Sequence, residues 1–482
     1  MSDVADDAWT ADAKEAFNVS IVRAEGTDVK VLHKFHPAHV YSIFGDDEQI
    51  YGYQGLDIGL SYNASDMRPN LRVKHTKKLK VAGEEGPTDV AEVLKQYLPE
   101  VAYQKWKDFE TAIHNVRANW TPPGKLLTSV TRGDDIFEVW EGTLADPAVH
   151  QLIDRIQIFV PLFIEGGTQI SYDSSDADRW TIFFLYQKKD VPDQPAQYTF
   201  NGYCTTYRFF LMLPTPPSSP TQATSSALED LELGKDDFDL SSLPCRSRIS
   251  QFIILPPFQG RGIGPLLYRA VYDRFLHHTP TVEVTVEDPN EAFDDMRDIA
   301  DLYHLRSLPE FAALRLNTSL VLPSPDGWVP QNIVDPAAAE AARRKAKMAP
   351  RQFARVLEMH LMARLPDAVR PGIAPPDDDG PAVAAAAAAA KPTKEQRHEL
   401  RLWNLIVGQR ITRQNKDALG ELEIPARIKK LDETVSSVAF DYARLLLKAE
   451  PYAEFLGGGE RGAKRKAEED PETVMAKRPK SD

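Results

Sequence analysis

Glu287 is the residue whose type and place could most directly move a proton. It follows the alternating run Thr281-Val282-Glu283-Val284-Thr285-Val286. Alternation sets Val282, Val284 and Val286 on one sheet face, and Glu283, Thr285 and Glu287 on the other. Asp288-Pro289-Asn290 then turns the chain, with Asn290 placed to cap a helix carrying Ala292, Phe293 and Met296. A carboxylate at a strand end can accept a proton from an incoming group. Asp288 beside it could share that task or simply make an Asp-Pro turn. Upstream lies a second chemical feature, Gln259-Gly260-Arg261-Gly262-Ile263-Gly264-Pro265. Three glycines ahead of a helix let several backbone N–H groups converge, and the helix dipole behind them favours phosphate.

These residues need particular elements to hold them. Ile249–Leu255 is an apolar run of strand length that Pro256-Pro257 ends. Neither proline can donate to a sheet ladder, so the neighbouring strand is expected to splay away there. Pro265 suits the first turn of a helix, in which Leu267, Val271 and Phe275 repeat at helical spacing. Two familiar phosphate loops do not fit. A Walker loop ends in Gly-Lys-Ser/Thr, and a dinucleotide fingerprint needs a further glycine where Pro265 stands.

What remains, Gln-x-x-Gly-x-Gly after an apolar strand, resembles the acetyl-CoA loop of the GNAT superfamily of N-acetyltransferases. Val286-Glu287-Asp288-Pro289-Asn290-Glu291, the stretch Ile43–Leu56, Phe163-Ile164-Glu165-Gly166-Gly167, and Asp178-Arg179-Trp180 leading into Phe183–Tyr186 narrow this further. They are similar to the type B histone acetyltransferase family, over roughly residues 30–365. The resemblance implies an α+β protein of GNAT fold. Its mixed, splayed central sheet is flanked by helices and accompanied by a small strand-rich N-terminal domain and a helical C-terminal domain.

It also implies acetyl-CoA as co-substrate, with no metal. Gln259, Gly260, Arg261, Gly262, Ile263, Gly264 and Pro265 would hold its pyrophosphate. The main chain of Phe252, Ile253 and Ile254 would pair with its pantetheine arm, and Asn290 and Phe293 would flank it. The acceptor implied is a lysine in the N-terminal tail of free, newly made histone H-four, held by Asp46, Asp47 and Glu48 and by Tyr207, Arg208 and Phe209. A WD-repeat histone-binding subunit is the implied partner.

A lysine amine is neutral in only about one molecule per thousand at neutral pH, so attack on a thioester calls for a base. Glu287 is the first choice by strand position and by family match, with Glu165 and Asp288 as candidates to share the proton. Glu165 interrupts an apolar stretch and so needs a function or a structural partner, Arg179 being one option. Asp46-Asp47-Glu48 cannot all face one core, and a solvated loop is the plain alternative to tail binding. A backbone N–H near the splayed strand could stabilise charge on the thioester oxygen. Cys204 and Cys245 lie outside these motifs, so direct transfer is expected rather than an acyl-cysteine. Two other readings stand beside this one: a same-fold enzyme for other amines, and a non-catalytic acetyl-CoA-binding histone carrier.

The 482 residues suffice for two or three domains with cores of their own. No apolar run reaches membrane-span length, and the acidic start Met1–Lys14 is unlike a signal peptide. Two cysteines exclude a disulfide framework and a cysteine-based zinc site, and suit a reducing compartment. Net charge is −14, while residues 461–482 carry seven basic and five acidic side chains, leaving about −16 on the rest. An acidic body argues against nucleic acid as the main partner and suits a cationic substrate, although most such carboxylates are solvated surface.

The expected organisation is a disordered start over 1–17, a tail-binding domain over 18–125, and an acetyltransferase domain over 126–310 with a disordered Pro/Ser/Thr-rich insertion at 214–244. A helical domain over 311–450, with a linker at 366–392, and a disordered basic tail over 451–482 follow. Helices are expected over 89–98, 149–158, 352–365, 397–407 and 436–447. In the tail, Lys464-Arg465-Lys466 and Lys477-Arg478-Pro479-Lys480 have the spacing of a bipartite nuclear import signal, hence an expected location in nucleus and cytoplasm.

Overall fold

The computed structural model describes residues 9–80, 86–116, 119–171, 175–191, 195–211, 240–322, 330–372 and 391–456. The alanine run, both basic clusters of the tail and nearly all of the Pro/Ser/Thr-rich insertion lie outside the described residues. The chain divides into two compact units, Met1–Asp288 and Pro289–Asp482, each considered by itself.

The first unit is α+β. Its N-terminal part holds strands β1 (Thr10–Asp12), β2 (Phe17–Glu25), β3 (Asp28–Phe35), β4 (Gln49–Tyr51), β5 (Tyr53–Gln54), β6 (Asp57–Asn63), β7 (Pro69–Lys74) and β8 (Lys77–Lys78). β3, β2, β6 and β7 form one sheet in that order, with β2 and β6 parallel. Ile58, Leu60 and Tyr62 are fully buried, as their alternation predicts. Residues 10–16, assigned above to a disordered start, instead form β1 and a short helix, Ala13–Ala16. Asp12 caps that helix, Ala13 and Ala16 are buried, and β1 pairs with β4. The helix expected over 89–98 is regular only over Val90–Leu94.

Six strands make the second sheet: β9 (Lys125–Arg132), β10 (Asp135–Thr143), β11 (Trp180–Lys189), β12 (Gln197–Phe210), β13 (Cys245–Ile254) and β14 (Thr281–Val286). They lie in the order β14-β13-β12-β11-β10-β9. All neighbours are antiparallel except β13 and β14, which the helix Ile263–Leu276 connects. That helix buries Leu267, Val271 and Phe275. Arg23 of β2 donates to the carbonyl of Tyr198 (3.0 Å), tying the two sheets together.

The second unit is helical, with long helices at Glu291–Arg306, Pro350–Met362, Lys394–Gln414 and Ile424–Leu456. The last is longer than the apolar spacing over 436–447 announces. Its Tyr442 donates to buried Glu358 (2.9 Å), which also accepts from Arg410 (2.8 Å), while Trp403 donates to the Glu358 carbonyl (2.8 Å). A buried carboxylate on one helix thus has its partners supplied by two others.

Candidate active site

The sheet opens earlier than the prolines suggest, from Ser250 on, ahead of Pro256-Pro257. β13 runs beside β14 only from Cys245 to Ile249, whose carbonyl accepts the Glu287 N–H at 2.9 Å. Pro256-Pro257-Phe258 then forms a 3-10 turn. From Ser250 to Ile254 the strand keeps β12 on one side and has no β14 partner on the other. The β14 side turns off at Asp288, which has φ +32°, a strained value for a residue with a side chain.

At the far end of this opening lies the glycine loop. Gly260 and Gly262 have φ of +72° and +70°, a conformation glycine adopts without steric cost. A Cβ on Gly260 would meet nothing within 4 Å, and no side chain caps the helix that begins at Ile263. Gly264 and Pro265 belong to that helix's first turn. Arg132 donates to the Gly262 carbonyl (2.9 Å) and Gln259 to the Ile254 carbonyl (2.8 Å), fixing both ends of the loop. Arg261 stands over the Phe258 ring at 5.9 Å, and His33 meets that ring edge-on at 4.9 Å. Burial, and then the charge of Arg261, lower the pKa of His33. The loop and the open strand edge fit an extended, phosphate-bearing ligand.

Below the opening is a cavity of about 780 Å³. Glu165, Glu287 and Asp288, which the sequence nominates for proton transfer, all line it. So do Tyr207 and Phe209, whereas Arg208, one residue out of phase in the strand, does not. The Arg208 carbonyl instead accepts from Arg179 (3.0 Å).

Glu165 needs a correction: it is exposed beyond the end of the helix Phe159–Phe163, so burial does not oblige it to have a partner. Arg179, the option named for it, pairs with Asp176 at 3.1 Å. Asp46 and Asp47 are exposed on a turn and do not line the cavity. Glu48, with φ +52°, accepts from the Val40 N–H (3.3 Å) and helps hold that turn. The turn is nonetheless tied to the cavity's edge, because Gly166 donates to the hydroxyl of Tyr41 at 2.6 Å. Asn290 and Phe293 fall in the second unit, where Asn290 caps the helix Glu291–Arg306 through the Phe293 N–H (2.9 Å).

A carboxylate at one end of a sheet's split, a phosphate-type loop at the other and an aromatic-walled cavity beside the carboxylate match acyl transfer to an amine. The comparisons with known proteins agree. The family described as "Histone acetyl transferase HAT1 N-terminus" matches residues 9–165, and "Fungal HAT1, C-terminal" matches residues 298–365. The histone acetyltransferase type B catalytic subunit of Neurospora crassa is 49% identical over 455 residues, covering 92% of this chain and 89% of that protein. Those of Gibberella zeae and Pyricularia oryzae are each 46% identical, over 96% and 97% of this chain and 95% and 96% of theirs. The chain belongs to the type B histone acetyltransferase catalytic subunits. It is an acetyltransferase.

Within this family member, the cavity also takes in residues that the sequence alone did not nominate. Asp176, Trp180, Arg248, Ser250 and Gln251 all line it. Trp180 packs tilted against Tyr207 and Tyr207 edge-on against Phe209, each pair with ring centres 4.8 Å apart, giving one wall an aromatic surface. Gln251 donates to the Thr168 carbonyl (3.0 Å), so the loop after Glu165 is pinned to β13. Arg248 pairs with Glu287 at 2.9 Å. The signal for Arg248 is the alternation Cys245-Arg246-Ser247-Arg248, with Cys245 and Ser247 buried, which extends the strand upstream of Ile249. Among the described residues, no group of three or more His, Cys, Asp or Glu is arranged to hold a metal ion.

Proposed function

We propose that the chain is a GNAT-fold enzyme that transfers acetyl from acetyl-CoA directly to lysine side chains in the N-terminal tail of free, newly synthesised histone H-four, in chromatin assembly. One observation carries the reading. Glu287 closes β14 beside the point where β13 loses its partner, and faces a cavity with aromatic and acidic walls. Acetyl-CoA, when bound, supplies an acetyl group activated as a thioester. The open edge at Phe252, Ile253 and Ile254 would take its extended arm, and the N–H groups of the loop Gln259–Pro265 would take its pyrophosphate. Asn290 and Phe293 are proposed to flank it.

The chain's own residues then handle the amine. Trp180, Tyr207 and Phe209 offer faces on which a cationic lysine stem can lie. Glu287 takes the proton as the amine reaches the opening, and Asp288 and Glu165, in the same cavity, pass it to solvent. Asp46 and Asp47 attract the basic tail from their turn next to the cavity's edge. A WD-repeat histone-binding subunit as partner, and residence in nucleus and cytoplasm, belong to the same proposal.

The test is acetyl transfer to a histone H-four tail peptide by the full chain and its Glu287→Gln variant. Three further carboxylates remain in the cavity, so the expected loss in kcat lies at the low end of general-base effects, about 100-fold. Acetyl-CoA binding should stay as it was. A variant that turns over at nearly the wild-type rate would move the base elsewhere, with Glu165 next. A wild type that binds acetyl-CoA and acetylates no tail would favour the carrier, or an enzyme for other amines.

A further inference from the structure

Glu287 stands at a strand end with its side chain only partly covered, so something must hold its carboxylate toward the opening. The side chain that does so is Arg248. Register places Arg248 opposite Tyr207 on one side and Thr285 on the other, one step before Ile249 accepts the Glu287 N–H. Its Nη2 lies 2.9 Å from Glu287 Oε1, and its guanidinium carbon lies 4.4 Å from the centre of the Phe209 ring. Its Nε is buried without a hydrogen-bond partner among the described residues. The side chain is therefore clamped at its head, between carboxylate and ring, rather than along its length.

Charge gives this geometry a second consequence. Among the described residues that line the cavity are four carboxylates, Glu165, Asp176, Glu287 and Asp288, and one cation, Arg248, while Arg179, off the lining, pairs with Asp176. Carboxylates alone would hold an arriving lysine as the ammonium ion, which cannot attack a thioester. A fixed positive charge beside the amine's berth disfavours the ammonium and favours the neutral amine.

Resting on the reading of Glu287 as proton acceptor, we propose that Arg248 is a positioning residue for the transfer. It holds the Glu287 carboxylate at the sheet's opening and keeps the berth from trapping lysine in its charged form. The two effects act on turnover rather than on capture of the substrate.

The experiment is steady-state kinetics of the full chain with acetyl-CoA and an H-four tail peptide, comparing wild type, Arg248→Met, Arg248→Lys and Glu287→Gln from pH 7 to about pH 9.5. Arg248→Met keeps an unbranched apolar stem and removes the guanidinium that meets Glu287 and the Phe209 ring. It is expected to lower kcat about 10- to 100-fold while the peptide KM stays the same or falls, a split that lost ground-state binding would not give. The deficit should narrow as pH rises and more lysine arrives neutral. Arg248→Lys, which restores the charge, should recover most of kcat. A raised peptide KM with kcat preserved, or a loss uniform in pH that lysine does not rescue, overturns the proposal. If Arg248→Met does not fold, Arg248→Gln, which removes the charge and keeps a polar head, should show the same split, and its absence overturns the proposal equally. Full activity in Glu287→Gln would sink the reading of Glu287 itself. A crippled Glu287→Gln beside a normal Arg248→Met would sink only the role of Arg248.

Discussion

Gly202→Ala tests whether the spacing of β12 and β13 sets the width of the opening. Gly202 lies opposite Ile254, next to a β-bulge in the pairing of β11 with β12. A Cβ there would fall 2.2 Å from the Ile253 carbonyl oxygen and 3.0 Å from the Ile254 Cα. Carbon and backbone oxygen need roughly 1 Å more than this, and a β-sheet has no flexible side-chain end to yield. One strand must move. Overpacking of this kind costs about 1–3 kcal/mol, which in a unit of this size lowers Tm by about 2–5 °C. The displaced residues are those proposed to pair with the cofactor's arm, so acetyl-CoA affinity should fall several-fold as well. Thermal unfolding and calorimetric titration with acetyl-CoA measure both. Gly133→Ala, in the turn between β9 and β10, is the control. Its Cβ meets nothing within 4 Å, leaving only the penalty of a left-handed φ, about 1 kcal/mol. If Gly202→Ala melts within about 1 °C of wild type and binds acetyl-CoA equally well, the strands are not packed as described and the argument fails.

Replacing Asp46 and Asp47 together by Asn should raise the KM for the histone tail peptide about two- to fivefold at low salt, with kcat unchanged and the difference shrinking as salt is added. An unchanged KM would leave that turn as solvated surface. His360 gives a stability prediction for the helical unit. Burial first, and then Arg306, Arg364 and Arg315, hold its pKa down to about 4. The unfolded chain titrates this group near pH 6.5, so between those values the unfolded state binds more protons and stability falls as pH drops. The group contributes at most about 3 kcal/mol, present above pH 6.5 and lost by about pH 4. Thermal unfolding across that range should show a shallower decline for His360→Leu than for wild type. Parallel curves would refute it.

Local signals made the glycine loop and β14 legible. The valine alternation ends at Val286, as does the strand, and Pro256-Pro257 marks the turn that ends β13. Asn290 caps where a polar residue before Ala292 and Phe293 says it should. Glu165 shows where such reading breaks down. Its apolar neighbours Phe159 and Leu162 are buried because their helix is, but the chain leaves the core at Ile164, and Gly166 turns it at φ +66°. Apolar neighbours in sequence are not a buried environment in space. Arg248 was hidden for the opposite reason. Residues 245–248 fall between the polar insertion and the apolar run from Ile249, and only pairing with β12 reveals them as a strand whose alternate residues are buried.

The cofactor edge and the base arise from one structural event. A parallel pair such as β13 and β14 would ordinarily continue, satisfying its backbone groups strand to strand. Here β14 leaves first, at Asp288 with φ +32° followed by Pro289, while β13 runs on against β12 to Ile254 before it meets two prolines. The departure leaves Ser250–Ile254 with one open side, and it leaves Glu287, the last residue hydrogen-bonded to β13, at the corner of the gap. Extending the ladder by one pair would place Glu287 opposite Ser250 within a continuous sheet and close the edge at once. The opening and the carboxylate at its corner therefore cannot be varied separately. Once the carboxylate is fixed at that corner, its surroundings set its working state, which is why the neighbour that touches it, Arg248, is the next residue to test.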